Sequence, residues 1–274
     1  MNKSIFSLDR LQVIWAIACR DLKIAFRFPK NFIAIRLIEP LRLFILLGLI
    51  YQSFFVMTNS KSFGHWSRTN YVPTLLLGAI FYSSFNYAYY RFRGNFLNEK
   101  YWKTIQIFLT APVSKVDFLI ASTLALAIEL SIPTLCYFMM FCFLHPLNVL
   151  SLVLILGVLY LMLFGVLGIS LMQGAFAISN ENYLFIFDYF YAAWALVSCF
   201  YYTAEALPHA FRFLTQINPV YHAVELARWF VFHHLSLNQA AASFVYLFLF
   251  ACITPLVGAY FFRKIVHAIG VKGF

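Results

Sequence analysis

The sequence predicts an all-α membrane protein: six transmembrane helices, an N-terminal amphipathic helix lying in the membrane interface, and an outer re-entrant helical pair between helices five and six. Three observations carry this prediction. Of 274 residues, 63% are hydrophobic and only 11% are charged, against about 45–50% and about 25% in soluble domains. Apolar runs of 18 or more residues recur, a length that reads as a membrane helix. Lys and Arg are also spread unevenly over the segments between those runs, as they are when one side faces the cytoplasm.

The N-terminal segment, residues 1–36, holds seven basic residues: Lys3, Arg10, Arg20, Lys23, Arg27, Lys30 and Arg36. Wound as a helix from Asp9 to Phe28, it places Leu11, Ile14, Trp15, Ala18, Leu22, Ala25 and Phe26 on one face. Asp9, Gln12, Arg20, Lys23 and Arg27 share the other. A basic face opposite Trp and Phe suits a helix lying in the interface; a cytoplasmic helix packed on the bundle is the alternative. The first span follows at Leu37–Met57. No small-residue cleavage site follows it, so it reads as a span and not as a secretory leader. Glu39 and Arg42 sit at i and i+3 near its start, within pairing reach on one face. They line the cytoplasmic mouth of a pathway or form an ordinary interface pair.

The second span is Tyr71–Tyr90 and the third Phe118–Leu144. Between them, Asn98–Ala121 reads "NEKYWKTIQIFLTAPVSKVDFLIA". Ser114 and Asp117 have the spacing of an N-cap box just after Pro112. That cap starts the third span and leaves Asn98–Thr110 as a separate short helix, with Tyr101, Ile105 and Phe108 on one face. Glu129 lies roughly 18 Å past Asp117 at 1.5 Å per residue, hence near the bilayer middle. An ionisable residue at that depth is a functional hypothesis by default; a carboxyl protonated, or paired inside the bundle for assembly, is the other reading.

The fourth span, Val149–Ala177, contains Gly157, Gly165, Gly168 and the Ser170-x-x-x-Gly174 pair, which allow close helix approach. The fifth is Tyr183–Tyr202 and the sixth Ala241–Phe262. Aromatics recur at helical spacing in the second span (Phe81, Phe85, Tyr89) and the fifth (Phe187, Tyr191, Trp194). Such rings could form a ladder along which a sugar chain slides; helix packing or lipid contact is the plainer account. Residues 203–240 are too apolar for an ordinary loop. They read as two short helices, Ala206–Leu214 and Val220–Phe232, broken at Asn218-Pro219. Broken backbone survives at membrane depth only where protein or a water-filled cavity satisfies it.

Fifteen Lys and Arg fall in the N-terminal segment, the second-to-third connection and the C-terminal segment, against four (Lys61, Arg68, Arg212, Arg228) on the other side. Both termini are therefore expected in the cytoplasm. Topology accounts for the net charge of +10, and nucleic acid is not needed as a partner. The five cysteines are scattered without a Cys-x-x-Cys pair and read as small buried hydrophobes. His209, His222, His233 and His234 stand near Glu225 on the outer segment, but without a zinc signature, so no metal is expected. The chain also lacks the G-x-x-x-x-G-K-[ST] loop that cradles ATP phosphates.

Four pieces together resemble the permease subunits of type-2 ABC exporters, the family of polysaccharide, lipo-oligosaccharide, teichoic-acid and drug exporters. The first is the basic helix leading into a span with an acidic-Pro pair, Glu39-Pro40. The second is "NEKYWKTIQIFLTAPVSKVDFLIAS", although Gln106 and Ala111 stand where the family often has Glu and Thr. The third is "YYTAEALPHAFRFLTQINPVYHAVELAR", and the fourth is the six-span layout. The resemblance covers essentially the whole chain as a single domain, residues 1–274. It implies a cytoplasmic coupling segment at 94–115, with Glu99, Tyr101, Trp102, Lys103, Thr104 and Ile105 against an ATPase. It also implies an outer gate with Glu205, His209, Arg212, Asn218, Pro219, Tyr221, Glu225 and Arg228. A substrate pathway would draw on Glu39, Arg42, Phe81, Phe85, Tyr89, Glu129, Phe187 and Tyr191. The implied assembly is a homodimer in a bacterial inner membrane, in contact with membrane lipids and served by a separate ABC ATPase subunit. ATP and Mg belong to that partner, and the chain itself carries no cofactor and no catalytic residue. The cargo implied is a lipid-linked glycan or polysaccharide, with a drug or lipid as the alternative within the fold. A proton-coupled carrier or an embedded transferase using Glu129 is the alternative outside it.

Overall fold

The computed structural model describes residues 8–58, 62–63, 66–67, 70–103, 115–145, 148–233 and 235–272. The amphipathic α1 (Leu8–Ala25) is followed by α2 (Pro29–Ile33), which runs through a π-helical turn (Ala34–Ile38) into α3 (Glu39–Thr58). A small antiparallel hairpin, β1 (Ser62–Phe63) on β2 (Trp66–Ser67), leads to α4 (Tyr71–Tyr101). Then come α5 (Lys115–Leu144), α6 (Val149–Ser179), α7 (Leu184–Val197), α8 (His209–Ile217), α9 (Pro219–Phe232) and α10 (Leu237–Lys272). Ile120–Phe143 of α5, all of α6 and Leu237–Ile265 of α10 are long and apolar enough to cross a membrane; the apolar stretch Phe44–Met57 of α3 is shorter.

Two elements depart from expectation. The expected short helix from Asn98 does not begin there: Asn98–Tyr101 are the last turn of α4, and Lys103 takes a left-handed backbone with φ 58°. Thr104, Ile105 and the Ser114 cap lie outside the described residues. In place of the expected fifth span, α7 has 14 residues, about 21 Å of helix against roughly 30 Å of hydrocarbon. It ends at Val197, and two residues on Cys199 takes a left-handed backbone with φ 51°. Two short helices follow as α8 and α9, with the break at Asn218-Pro219.

The central helix is α6, which packs on α4 and α10 over most of its length. Its polar residues knit to α4: the Phe92 amide donates to Ser170 Oγ at 2.9 Å, and Gln173 Nε2 to the Tyr89 carbonyl at 3.2 Å. Its glycines set the approach. Gly174 makes room for the Phe96 ring, which stacks on Phe262 with centroids 5.2 Å apart. At the α6–α10 crossing, a Cβ on Gly168 would lie 2.3 Å from the Thr254 carbonyl carbon, and one on Gly258 2.1 Å from the Gly168 oxygen. Thr254 Oγ1 donates to the Gly165 carbonyl at 2.7 Å beside them. Because the obstructing atoms are backbone, Gly168→Ala must push the helices apart. We expect a loss of about 1–3 kcal/mol, read as a lowered melting temperature of the purified chain, whereas Gly157→Ala, with open space around it, leaves stability unchanged.

Candidate functional site

The basic end of the bundle is held by ion pairs between segments distant in sequence. The face of α1 carrying Ala18 packs on Ala121 and Ala125 of α5. Flanking that contact, Arg10 clasps Asp117 through Nη2 at 2.7 Å and Nε at 3.3 Å, and Ser122 Oγ donates to Asp21 Oδ2 at 3.0 Å. α1 is thus docked along α5, while Leu11 and Trp15 stay exposed. Small residues at 18, 121 and 125 permit this approach, and the exposed Trp remains available for an interface.

Glu129 is the centre of the cluster and only 1% exposed. Arg36 Nη2, from the π-helical turn, donates to its Oε1, and Arg91 Nη1, from α4, donates to its Oε2 at 2.6 Å. The Arg36 guanidinium lies 3.3 Å from the centroid of the Tyr87 ring. Arg20 bridges Asp21 and Glu99, each at 3.2 Å. Three arginines and three carboxylates therefore link α1, the π-helical turn before α3, α4 and α5, and their formal charges balance. A cavity of about 120 Å³ lies among them, lined by Arg20, Asp21, Arg36, Arg91, Asn95, Glu99 and Glu129, with Ile24, Asn98 and Trp102 nearer the surface.

The same end of α4 also grips the α6–α7 connection. Arg93 pairs with Asp188 at 2.5 Å, with Tyr90 donating to the same carboxylate at 3.1 Å. Lys100 reaches Glu181 at 2.9 Å and Tyr101 donates to it at 3.1 Å. These two donors hold the Glu181 carboxyl below its ordinary range. Past this grip the side chains of Tyr101, Trp102 and Lys103 are exposed, so the α4 terminus presents an aromatic-basic tip.

At the opposite end, α7 stops where its carbonyls meet an arginine. Arg228 of α9 is 4% exposed; its Nη2 donates to the Cys199 and Phe200 carbonyls, each at 2.9 Å, and its Nη1 to Glu225 at 2.7 Å. Asn218 caps α9 by accepting from the Val220 amide at 2.9 Å, accepts from Trp194 Nε1 at 2.7 Å, and donates to Ser198 Oγ at 2.9 Å. An open cavity of about 470 Å³ adjoins them, lined by Gln216, Tyr221, His222, Glu225, Gln239 and Tyr246.

The structure brings some of the expected site residues together and separates others. Glu99, Tyr101, Trp102 and Lys103 share the tip of α4. Asn218, Pro219, Tyr221, Glu225 and Arg228 cluster around the α7–α9 joint; Arg212 instead donates to the Glu205 and Leu207 carbonyls, and His209 is exposed. Phe81, Phe85 and Tyr89 are fully buried. Phe85 stacks on Tyr191 with centroids 5.4 Å apart, and Tyr89 donates to the Phe187 carbonyl at 2.7 Å, so within one chain these rings fill the α4–α7 contact. Arg42 is exposed, and the side chain of Glu39 lies outside the described residues. Asp21, Arg36 and Arg91 are not among the residues the sequence marks as functional; the one signal is Asp21, an acid at helical spacing from Ala18 and Ala25. Among the described residues no group of three His, Cys, Asp or Glu could hold a metal ion.

The family model of the ABC-2 type transporters matches residues 12–232, from α1 to the end of α9. No curated protein matches the chain.

Proposed function

The chain belongs to the ABC-2 type transporter family, and on that premise we propose that it is the membrane subunit of an ATP-driven exporter for a lipid-linked glycan or polysaccharide. Membership makes it a multi-pass membrane protein, the permease component of an ABC transporter and not its ATPase, in a family whose members normally pair with an ABC ATPase. In this proposal the cargo moves outward through a homodimer whose termini are cytoplasmic. The whole-chain resemblance, closest to the lipo-oligosaccharide and polysaccharide export branch of the family, supports the cargo, and the basic count supports the orientation. Apolar side chains exposed on α3 (Ile45, Leu49) and α7 (Phe185, Tyr189) supply surface for a second copy as well as for lipid.

One observation carries the ATP-driven reading. The exposed Tyr101–Lys103 tip is not a free loop but the end of a helix wired into the bundle. Glu99 ties it to α1 through Arg20, and Arg91 on the same helix ties it to α5 through Glu129. A push on Trp102 from a closing ATPase therefore moves three helices together. In cells expressing chain and ATPase, Tyr101→Ala with Trp102→Ala is expected to reduce ATPase co-purification by roughly tenfold or more, the loss typical of paired aromatic anchors. Unchanged recovery of the ATPase would place its contact elsewhere. For the cargo, depletion of the chain should accumulate a lipid-linked glycan on the cytoplasmic leaflet; accumulation of none would remove the glycan reading while leaving the ATPase contact standing.

A further inference from the structure

We propose that the cavity at the basic end binds a phosphoester oxyanion, as presented by the headgroup of an anionic phospholipid or by free phosphate. Around the cavity some hydrogen-bonding groups are used up and others are left over. Both oxygens of Asp21 accept, from Arg20 and Ser122, both of Glu129 accept, from Arg36 and Arg91, and the third carboxylate of the lining, Glu99, is paired with Arg20 at 3.2 Å. The groups left without a partner are all donors: Arg36 Nη1, Arg91 Nε, Arg91 Nη2 and Asn95 Nδ2 are buried with no hydrogen bond among the described residues. Leaving buried donors unsatisfied is costly, so these four call for an acceptor that the carboxylates of the lining, already engaged, do not give them.

The arrangement selects the acceptor. Arg91 spends Nη1 on Glu129 and keeps Nε and Nη2, the two nitrogens along its other edge, unused, with its side chain only 9% exposed. Two parallel N–H groups on one guanidinium edge form the fork that grips an oxyanion through two oxygens. The nearest carboxylate to that edge, Asp21 Oδ2, stands 3.8 Å from Nη2, beyond hydrogen-bond range. The volume of about 120 Å³ has room for about four waters or for one tetrahedral oxyanion; only the oxyanion supplies acceptors without adding donors. The approach also fits a lipid. Ile24 and Trp102 at the mouth are 41% and 55% exposed, and Trp15 on the same helix as Ile24 is 54% exposed, an apolar and aromatic rim of the kind that sits at headgroup depth. The inference does not depend on the cargo.

The test uses the full chain purified in a neutral detergent. Phosphatidylglycerol is expected to raise its melting midpoint by at least about 3 °C, as a ligand binding only the folded state does, with phosphatidylcholine ineffective. Asn95→Leu fills the cavity and leaves the Arg36 and Arg91 pairs to Glu129 in place; it should abolish the increase. Native mass spectrometry of the unmodified chain gives a readout that needs no variant, and should count one retained anionic phospholipid per chain. If millimolar inorganic phosphate stabilises the chain as well, with the same dependence on Asn95, and no lipid is retained, the ligand is free phosphate. Stabilisation by neither, or stabilisation that survives Asn95→Leu, overturns the proposal.

Discussion

Replacing Glu129 with Gln is expected to destabilise the folded chain by about 3–5 kcal/mol, the cost of breaking a buried ion pair by removing one partner. The variant leaves Arg36 and Arg91, whose side chains are 15% and 9% exposed, facing each other without their shared counterion. Asp21 at 3.8 Å from Arg91 replaces only part of it. A second substitution identifies the cause: Arg36→Met in the Glu129→Gln background removes one of the two stranded cations and should recover part of the loss. Because the residues touch, a double-mutant cycle should show a coupling of about 1 kcal/mol or more. Melting of the four purified proteins measures it. The cycle also decides between two uses of the carboxyl. A proton carrier needs Glu129 free to take up a proton, so Glu129→Gln would abolish transport and leave stability intact. In the ion cluster the stability falls first. A Glu129→Gln chain as stable as the parent would sink the cluster reading.

The elements whose determinants are local were legible in the sequence. Runs of Leu, Ile and Val marked α5, α6 and α10, and the Asn218-Pro219 pair marked the start of α9, since Asn caps and Pro at the first helical position fit a helix N-terminus. The break in α7 was not. Residues 194–204 read "WALVSCFYYTA", with no Gly or Pro to end a helix. What ends it is tertiary: Arg228, about thirty residues on, takes up the carbonyls that a further turn would have used.

The ion cluster was hidden for a related reason. Counting Lys and Arg by side treats each as solvated, so Arg36 and Arg91 entered that count as loop cations. Glu129 is 93 residues from one and 38 from the other, and no periodicity links such separations. The aromatic stripes of the second and fifth spans were visible, but spacing cannot tell a stripe facing a channel from one facing a neighbour. The contact between Phe85 and Tyr191 is a property of how α4 and α7 meet.

The joint between α7 and α9 carries the second large effect. Arg228→Ala is expected to cost about 3–5 kcal/mol, because it strands the Cys199 and Phe200 carbonyls and removes the arginine that pairs with Glu225. Arg228→Lys keeps the charge but not the fork; a single ammonium cannot hold two successive carbonyls and a carboxylate in their places. It should recover less than half of the loss. The geometry gives an independent test from the other side of the joint. A Cβ on Gly78 of α4 would lie 1.9 Å from the Phe200 oxygen, so Gly78→Ala must displace the carbonyl that Arg228 holds. If the joint acts as one unit, Gly78→Ala and Arg228→Ala together should destabilise by clearly less than the sum of the two, since the first already disrupts what the second removes. Additive losses would mean that Arg228 stabilises α9 alone, through Glu225, and that the end of α7 is held by Asn218 and Trp194.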